Sequence, residues 1–144
     1  MRPVEKHNTT LVTDLMYRLI LILPILLAAC QKDETISGFV DPQKTFKLEQ
    51  INGKAFTAKA DISFPAKGTV TGSSPCNSYS AEQTAPYPWF EIGSMMVTRS
   101  MCQQFGQQEQ EFFQALGEMT LIETVGDVLI LQNDSGGEMV FRAN

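Results

Sequence analysis

Leu121-Ile122-Glu123-Thr124-Val125-Gly126-Asp127-Val128-Leu129-Ile130-Leu131-Gln132, followed after Asn133-Asp134-Ser135-Gly136-Gly137 by Met139-Val140-Phe141-Arg142, decides the fold. Short apolar and β-branched segments separated by tight-turn residues predict three strands at 121–125, 128–132 and 139–142, joined as an antiparallel meander. Working back toward the N-terminus, the same punctuation recurs: Phe46 and Leu48, then Asn52-Gly53, Ile62 and Phe64, Pro65-Ala66-Lys67-Gly68, and Thr69-Val70-Thr71-Gly72. This is strand chemistry interrupted by hairpin turns. Further strands are predicted at Ser78–Gln83 and Phe90–Gly93, on either side of Pro86 and Pro88. One segment changes period. Phe105, Phe112, Phe113 and Leu116, with Glu109 and Glu111 between them, place apolar side chains on one face of a helix that ends at Gly117. The expected architecture is therefore α+β: a small, curved antiparallel sheet or barrel-like fold packed with one helix.

The front of the chain has a different character. The apolar run Leu19–Leu27 closes on Ala28-Ala29-Cys30, a small-small-Cys sequence that reads as a lipoprotein signal with Cys30 as the lipidated first residue of the mature protein. With Pro24 inside it, the run is much shorter than the about twenty apolar residues that cross a bilayer core. Glu5 and Asp14 are unusual in a signal, whereas Met16-Tyr17-Arg18 followed by the apolar run forms a complete one, so Met16 is the expected true start. The domain plan is a signal peptide at 1–29, a lipidated N-terminus and flexible tether at 30–44, and one domain at 45–144. Residues 31–43 are mostly polar, with Gly38 and Pro42 and no periodicity, as a tether giving reach from the membrane should be.

Cleavage before Cys30 alters the available chemistry, because the only histidine, His7, lies in the discarded part. Without imidazole, histidine triads, Cys-His dyads and His-ligated zinc are excluded, leaving carboxylates, Lys, Tyr and thiols. Three of eleven Lys/Arg and two of sixteen Asp/Glu precede Cys30, so the mature chain keeps eight positive and fourteen negative side chains. A surface that is net negative, with scattered cations, repels phosphate backbones, so nucleic acid is not an expected partner. No cofactor is expected.

Cys76 and Cys102 are the cysteines left beside Cys30, and an exported chain meets an oxidising compartment, so a disulfide is the default expectation. Two reduced thiols are the competing reading, and a soft Cu(I) site built from Met95, Met96, Met101 and the thiols is a third.

Leu48-Glu49 with Asn52-Gly53-Lys54, Ile62-Ser63-Phe64, and Gly72-Ser73-Ser74-Pro75-Cys76-Asn77-Ser78-Tyr79 form one ordered series of motifs. It continues through Thr98-Arg99-Ser100-Met101-Cys102 and Glu109 followed by Phe112-Phe113-Gln114-Ala115-Leu116. Together these residues resemble the META domain of the HslJ-type bacterial lipoproteins. The resemblance covers about Leu48 to Arg142 and departs from the expected pattern at Pro75, which restricts Ser74. It implies antiparallel sheet wrapped against one helix, in envelope or secreted proteins linked to heat shock, novobiocin resistance, motility or virulence, and it implies no enzymatic activity.

Individual residues then carry two readings each. Asn77 and Arg99 would offer an amide and a guanidinium to a carboxylate ligand, or else Asn77 holds a turn while Arg99 pairs with an acid such as Glu109. Glu109 and Glu111, two apart on a helix, point to different sides and do not form a catalytic dyad; helix-terminal charge accounts for Glu109. Pro86-Tyr87-Pro88-Trp89-Phe90 forms an aromatic lip for a ligand or partner, or a rigid loop whose Trp89 or Phe90 enters the core. Two functional classes follow. One is a lipid-tethered accessory module that binds an envelope protein or a small amphiphile. The other is an envelope enzyme working through carboxylates or a Cys76/Cys102 thiol pair, against which stands the lack of Cys-x-x-Cys spacing. Gln31, not aspartate, follows Cys30, which favours the outer membrane facing the periplasm.

Overall fold

Alternate positions along the strands turn apolar side chains inward, and those residues define one core. The computed structural model describes residues 32–143, so the expected signal peptide, Cys30 and Gln31 lie outside the described residues. From Asp33 onward the chain forms one folded unit. Its strands are β1 (Phe46–Ile51), β2 (Lys54–Ala55), β3 (Asp61–Ala66), β4 (Thr69–Ser73), β5 (Ser78–Glu82), β6 (Met96–Val97), β7 (Leu121–Val125), β8 (Val128–Gln132) and β9 (Glu138–Ala143), with one helix, α1 (Gly106–Glu118), between β6 and β7.

The sheet order is β6-β5-β4-β3-β1-β9-β8-β7, with β2 paired to β1. Every pairing is antiparallel. The predicted meander is present: Val125 faces Val128 across the β7–β8 turn, and Gln132 faces Glu138 at the start of β9. Asn133 shapes the second connection by accepting from the Ser135 and Gly137 N–H groups (3.0 and 2.8 Å). At the β1–β2 turn Asn52 and Gly53 both take positive φ (51° and 73°), the backbone that an Asn-Gly hairpin requires. Register shifts between Leu48 and Gln50 in β1, and between Ser63 and Ala66 in β3, add the local twist that curls the sheet.

Inside the curl lie Phe46, Ile62, Phe64, Leu129, Leu131, Met139 and Phe141, all fully buried. Helix α1 closes this core with Phe112, Ala115 and Leu116, the 3.6-residue stripe legible in its sequence. Tyr79 stands beside the Phe112 and Phe113 rings at 5.6 Å from each centroid.

Two expectations need correction. Phe90–Gly93 is not a strand: Phe90 turns into the core and its N–H donates to the Thr120 carbonyl (2.8 Å), so the segment lies along the outer edge of β7 through a single bridge, Trp89 to Leu121. The strand falls instead at Met96–Val97. The expected tether is shorter than 31–43. Thr35 and Ile36 are buried, a 3-10 turn covers Ile36–Gly38, and the Tyr87 N–H donates to the Glu34 carbonyl (2.7 Å). A single isoleucine leaves no periodicity to read, yet one buried side chain is enough to pin the chain.

Candidate functional site

The Gly72–Tyr79 segment runs from the end of β4 through a tight connection into β5, and its geometry begins with Gly72. A Cβ there would stand 2.1 Å from the Asp61 carbonyl oxygen and 2.7 Å from the Tyr79 Oη. Only glycine leaves that room. The Tyr79 hydroxyl uses it to donate to the Asp61 carbonyl (2.9 Å), while the Asp61 carboxylate accepts from the Ser73 N–H (2.9 Å). Burial, with the negative charge of Asp61 adding to it, pushes the Tyr79 hydroxyl far above the ordinary tyrosine range, so it remains a neutral donor.

The following residues form a polar knot. The Ser74 N–H donates to the Asn77 carbonyl (2.7 Å), and the Asn77 N–H donates back to the Ser74 Oγ (3.1 Å). The Ser74 hydroxyl lies within reach of that same carbonyl (2.8 Å) and of the Glu109 carboxylate. Its one proton goes to the carboxylate, the stronger acceptor. The Asn77 Nδ2 donates to both Glu109 oxygens (3.1 and 3.0 Å). Its Oδ1 accepts from the Ser100 N–H (2.7 Å) and the Thr98 hydroxyl (3.0 Å). One amide therefore ties together the β4–β5 connection, the 98–100 segment and the first turn of α1. Glu109 also places a negative side chain in that first turn, where Phe105 supplies no side-chain cap.

Cys76 and Cys102 are joined as a disulfide across 26 positions of sequence, with Cα atoms 5.7 Å apart. The bond crosses the same gap that Asn77 spans by hydrogen bonds. With both sulfurs so engaged, neither the reduced-thiol reading nor the Cu(I) reading applies to this structure. Met101 is 96% exposed and Met96 is also exposed, whereas Met95 packs against the core.

The remaining candidates separate. Arg99 is exposed and does not pair with Glu109, whose oxygens are taken by Ser74 and Asn77. The ion pairs found among the described residues are Lys44–Asp127 (2.8 Å) and Arg142–Glu49 (3.0 Å). The Asn77 amide is thus engaged by Glu109, Thr98 and Ser100, while Arg99, between the last two in sequence, is exposed. Glu111 is exposed and apart from Glu109's contacts. In the aromatic loop, Phe90 fills the core and Trp89 is 58% exposed. Beneath the loop, the buried Gln83 donates from Nε2 to the carbonyls of Ala85 (3.2 Å) and Trp89 (3.4 Å) and holds it against the body.

Sequence reasoning does not mark Ser74 or Thr98 as knot members, or Asp61 as the partner of Ser73 and Tyr79. A serine two residues before a cysteine carries no periodic signal, and its partner on α1 is 35 positions away. An open groove of about 340 Å³ runs between α1 and the β1–β2 turn, lined by Ile51, Asn52, Gln107, Gln110, Glu111 and Gln114. Among the described residues no group of three or more His, Cys, Asp or Glu is gathered closely enough to hold a metal ion.

Comparison with known proteins gives the following. A family model, META domain, matches residues 40–144. An NMR structure of a protein from Burkholderia xenovorans is similar with a TM-score of 0.59 at 19% identity, over 81% of this chain and 93% of that one. A second NMR structure is similar with a TM-score of 0.55 at 25% identity, over 72% of this chain and 94% of the other. No curated protein sequence matches.

Proposed function

Because this chain belongs to the META-domain family, we propose that it is a lipid-anchored accessory protein of the cell envelope, a non-catalytic binding or stress-response module tethered through Cys30. The observation that carries this reading is the way the knot spends its own chemistry. Ser74, Asn77 and Glu109 satisfy one another, and Cys76 is bonded to Cys102, so the groups that would serve a nucleophile, an acid or a redox pair are committed to holding three segments together. A 26-residue spacing with hydrogen bonds on both sides of the sulfurs also fits a structural staple better than an exchanging thiol pair. Family membership supports a general accessory or stress-linked role; anchoring, the outer-membrane address suggested by Gln31, and a protein or small-amphiphile partner are the finer parts of the proposal.

Radiolabelled palmitate supplied to cells expressing the full chain tests the anchor: label is expected in the protein and absent from Cys30→Ala. Crosslinking in intact envelopes before and after heat shock, followed by pull-down, tests the role, with a defined partner expected. Unlabelled protein that retains its leader would overturn the anchored reading, and turnover of a dithiol by the purified protein would overturn the non-catalytic one.

A further inference from the structure

Phe39 and Tyr87 stack with ring centroids 4.4 Å apart, and Trp89 lies two residues beyond Tyr87 on the same turn, which is closed by the Trp89 N–H donating to the Pro86 carbonyl (2.8 Å). Phe39 is 48% and Trp89 58% exposed, and Pro86 and Pro88 beside them are exposed as well. Such a group of amphipathic rings on a small domain asks for a neighbour.

Where the chain enters the folded body identifies that neighbour. The backbone is fixed to this turn at Glu34, whose carbonyl accepts from the Tyr87 N–H at 2.7 Å, and Thr35 and Ile36 are buried immediately afterwards. Asp33 reinforces the attachment by accepting from the Thr35 N–H (3.0 Å), the Thr35 hydroxyl (2.7 Å) and the Ser37 hydroxyl (2.7 Å). Cys30 and Glu34 are four positions apart, a span of at most about 14 Å even when fully extended. A folded body of this size is roughly 30 Å across. A lipid on Cys30 therefore cannot hold the domain off the bilayer or let it present any side it chooses. The side bearing the attachment must face the headgroups.

We infer that the Phe39/Tyr87/Trp89 face is a membrane-docking surface, pressed against the phospholipid headgroup layer by the short leash from Cys30. The inference rests on the acylation of Cys30 proposed above. Tryptophan and tyrosine are the side chains that settle at this depth, with their apolar bodies toward the acyl chains and their polar edges in the headgroups. A second weak attachment also suits a lipoprotein domain, because it fixes orientation without adding a second anchor.

Trp89 is the only tryptophan in the chain, which makes the test direct. The processed protein is purified from membranes of cells expressing the full chain, and its mass is checked for the diacylglyceryl group. It is then reconstituted into phosphatidylethanolamine/phosphatidylglycerol vesicles carrying ordinary acyl chains or chains brominated near the headgroup. Blue-shifted emission is expected, with at least about half of it lost to the brominated lipid. Inserting a long Gly/Ser segment between Gln31 and Lys32 is expected to restore most of the emission, because it removes the leash. Equal emission in both lipids, with full quenching by aqueous iodide, overturns the docking surface while palmitate labelling still stands. Blue-shifted emission from the reconstituted protein without bromine quenching also overturns it, in favour of an indole covered by protein. Quenching that persists unchanged after the insertion overturns the leash as its cause. Failure of palmitate labelling is read separately and removes the premise.

Discussion

Asn77 on the β4–β5 connection and Glu109 in the first turn of α1 meet through two hydrogen bonds from one amide group, at 3.1 and 3.0 Å, across 32 positions of sequence. The pairing positions the helix over the curled sheet, because the same asparagine holds the 98–100 segment through its oxygen. Asparagine is the residue that can do both: its amide donates on one side and accepts on the other. Asn77→Asp keeps the shape but replaces the donor with a second carboxylate facing Glu109. A loss of about 2–3 kcal/mol is expected at pH 7, from the broken bonds and the like-charge contact. Urea midpoints of both proteins at pH 7 check this, and an unchanged midpoint would show that the pairing carries no stability.

Gly72 makes a second, sharper demand. A methyl group there would sit 2.1 Å from backbone that cannot retreat without disturbing the β3–β4 pairing. Gly72→Ala is expected to destabilise by about 2–4 kcal/mol, in the range of other overpacked sites. Gly117→Ala is the contrasting control. It adds its methyl to a helical position with nothing within 4 Å, and a gain of a few tenths to about 1 kcal/mol is expected. Denaturant melts of the two variants should move in opposite directions.

The disulfide closes a loop containing the exposed 96–101 segment. Its loss through Cys76→Ser/Cys102→Ser should cost about 3.5 kcal/mol on the chain-entropy account for a separation of 26. The Asn77 bonds to Thr98 and Ser100 span the same gap, so the knot should weaken along with the staple. Hydrogen exchange should therefore rise first at Ser78, Thr98 and Ser100. A rise spread evenly over β7–β9 would mean that the staple supports the whole fold and not this gap.

Much of this architecture was legible in the sequence, and the reasons for the gaps are physical. The meander from Leu121 and the helix at Phe112–Leu116 announce themselves because each side chain's burial follows the local period. Phe90 misleads because a single buried aromatic in a loop looks like the start of a strand. Met96 and Val97 give no alternation, since both are exposed on an edge strand paired only with β5. The knot is the least legible part. Ser74, Asn77 and Glu109 are ordinary surface residue types, and only the folded chain brings them together. The family resemblance marked the right stretch, Gly72 to Asn77, but not the bonds that make it necessary.

Asp33 provides a test of where the tether ends. Burial raises its carboxyl, but the hydrogen bonds from Ser37 and Thr35, helped by the positive charge of Lys67, outweigh that and leave it below the usual carboxylate value. A carboxyl lowered on folding contributes stability that is fully present above its unfolded value of about 4 and is lost as pH falls through the folded one. Asp33→Ala should be less stable than the parent at pH 7 by under about 1 kcal/mol, as suits a partly exposed group. The two should converge once the pH has fallen through that lowered folded value. Urea titrations across that window check the sign; a gap that widens in acid would contradict it.

Trp89 and Phe90 are neighbours with opposite duties, and comparing their alanine variants separates folding from surface function. Phe90 is only 2% exposed, and its backbone N–H is already committed to Thr120, so the loop cannot collapse to fill the space its ring would leave. Phe90→Ala should cost about 3–4 kcal/mol, as large-to-small core changes do. Trp89 is 58% exposed, and its main contribution to the fold is backbone pairing with Leu121, which alanine retains. Trp89→Ala should change stability by no more than about 0.5 kcal/mol. Any loss of envelope association or stress tolerance in that variant then belongs to the surface and not to a damaged fold. Thermal melts and a survival assay run on both variants make the distinction. A Trp89→Ala protein that is as unstable as Phe90→Ala would assign the indole to the core.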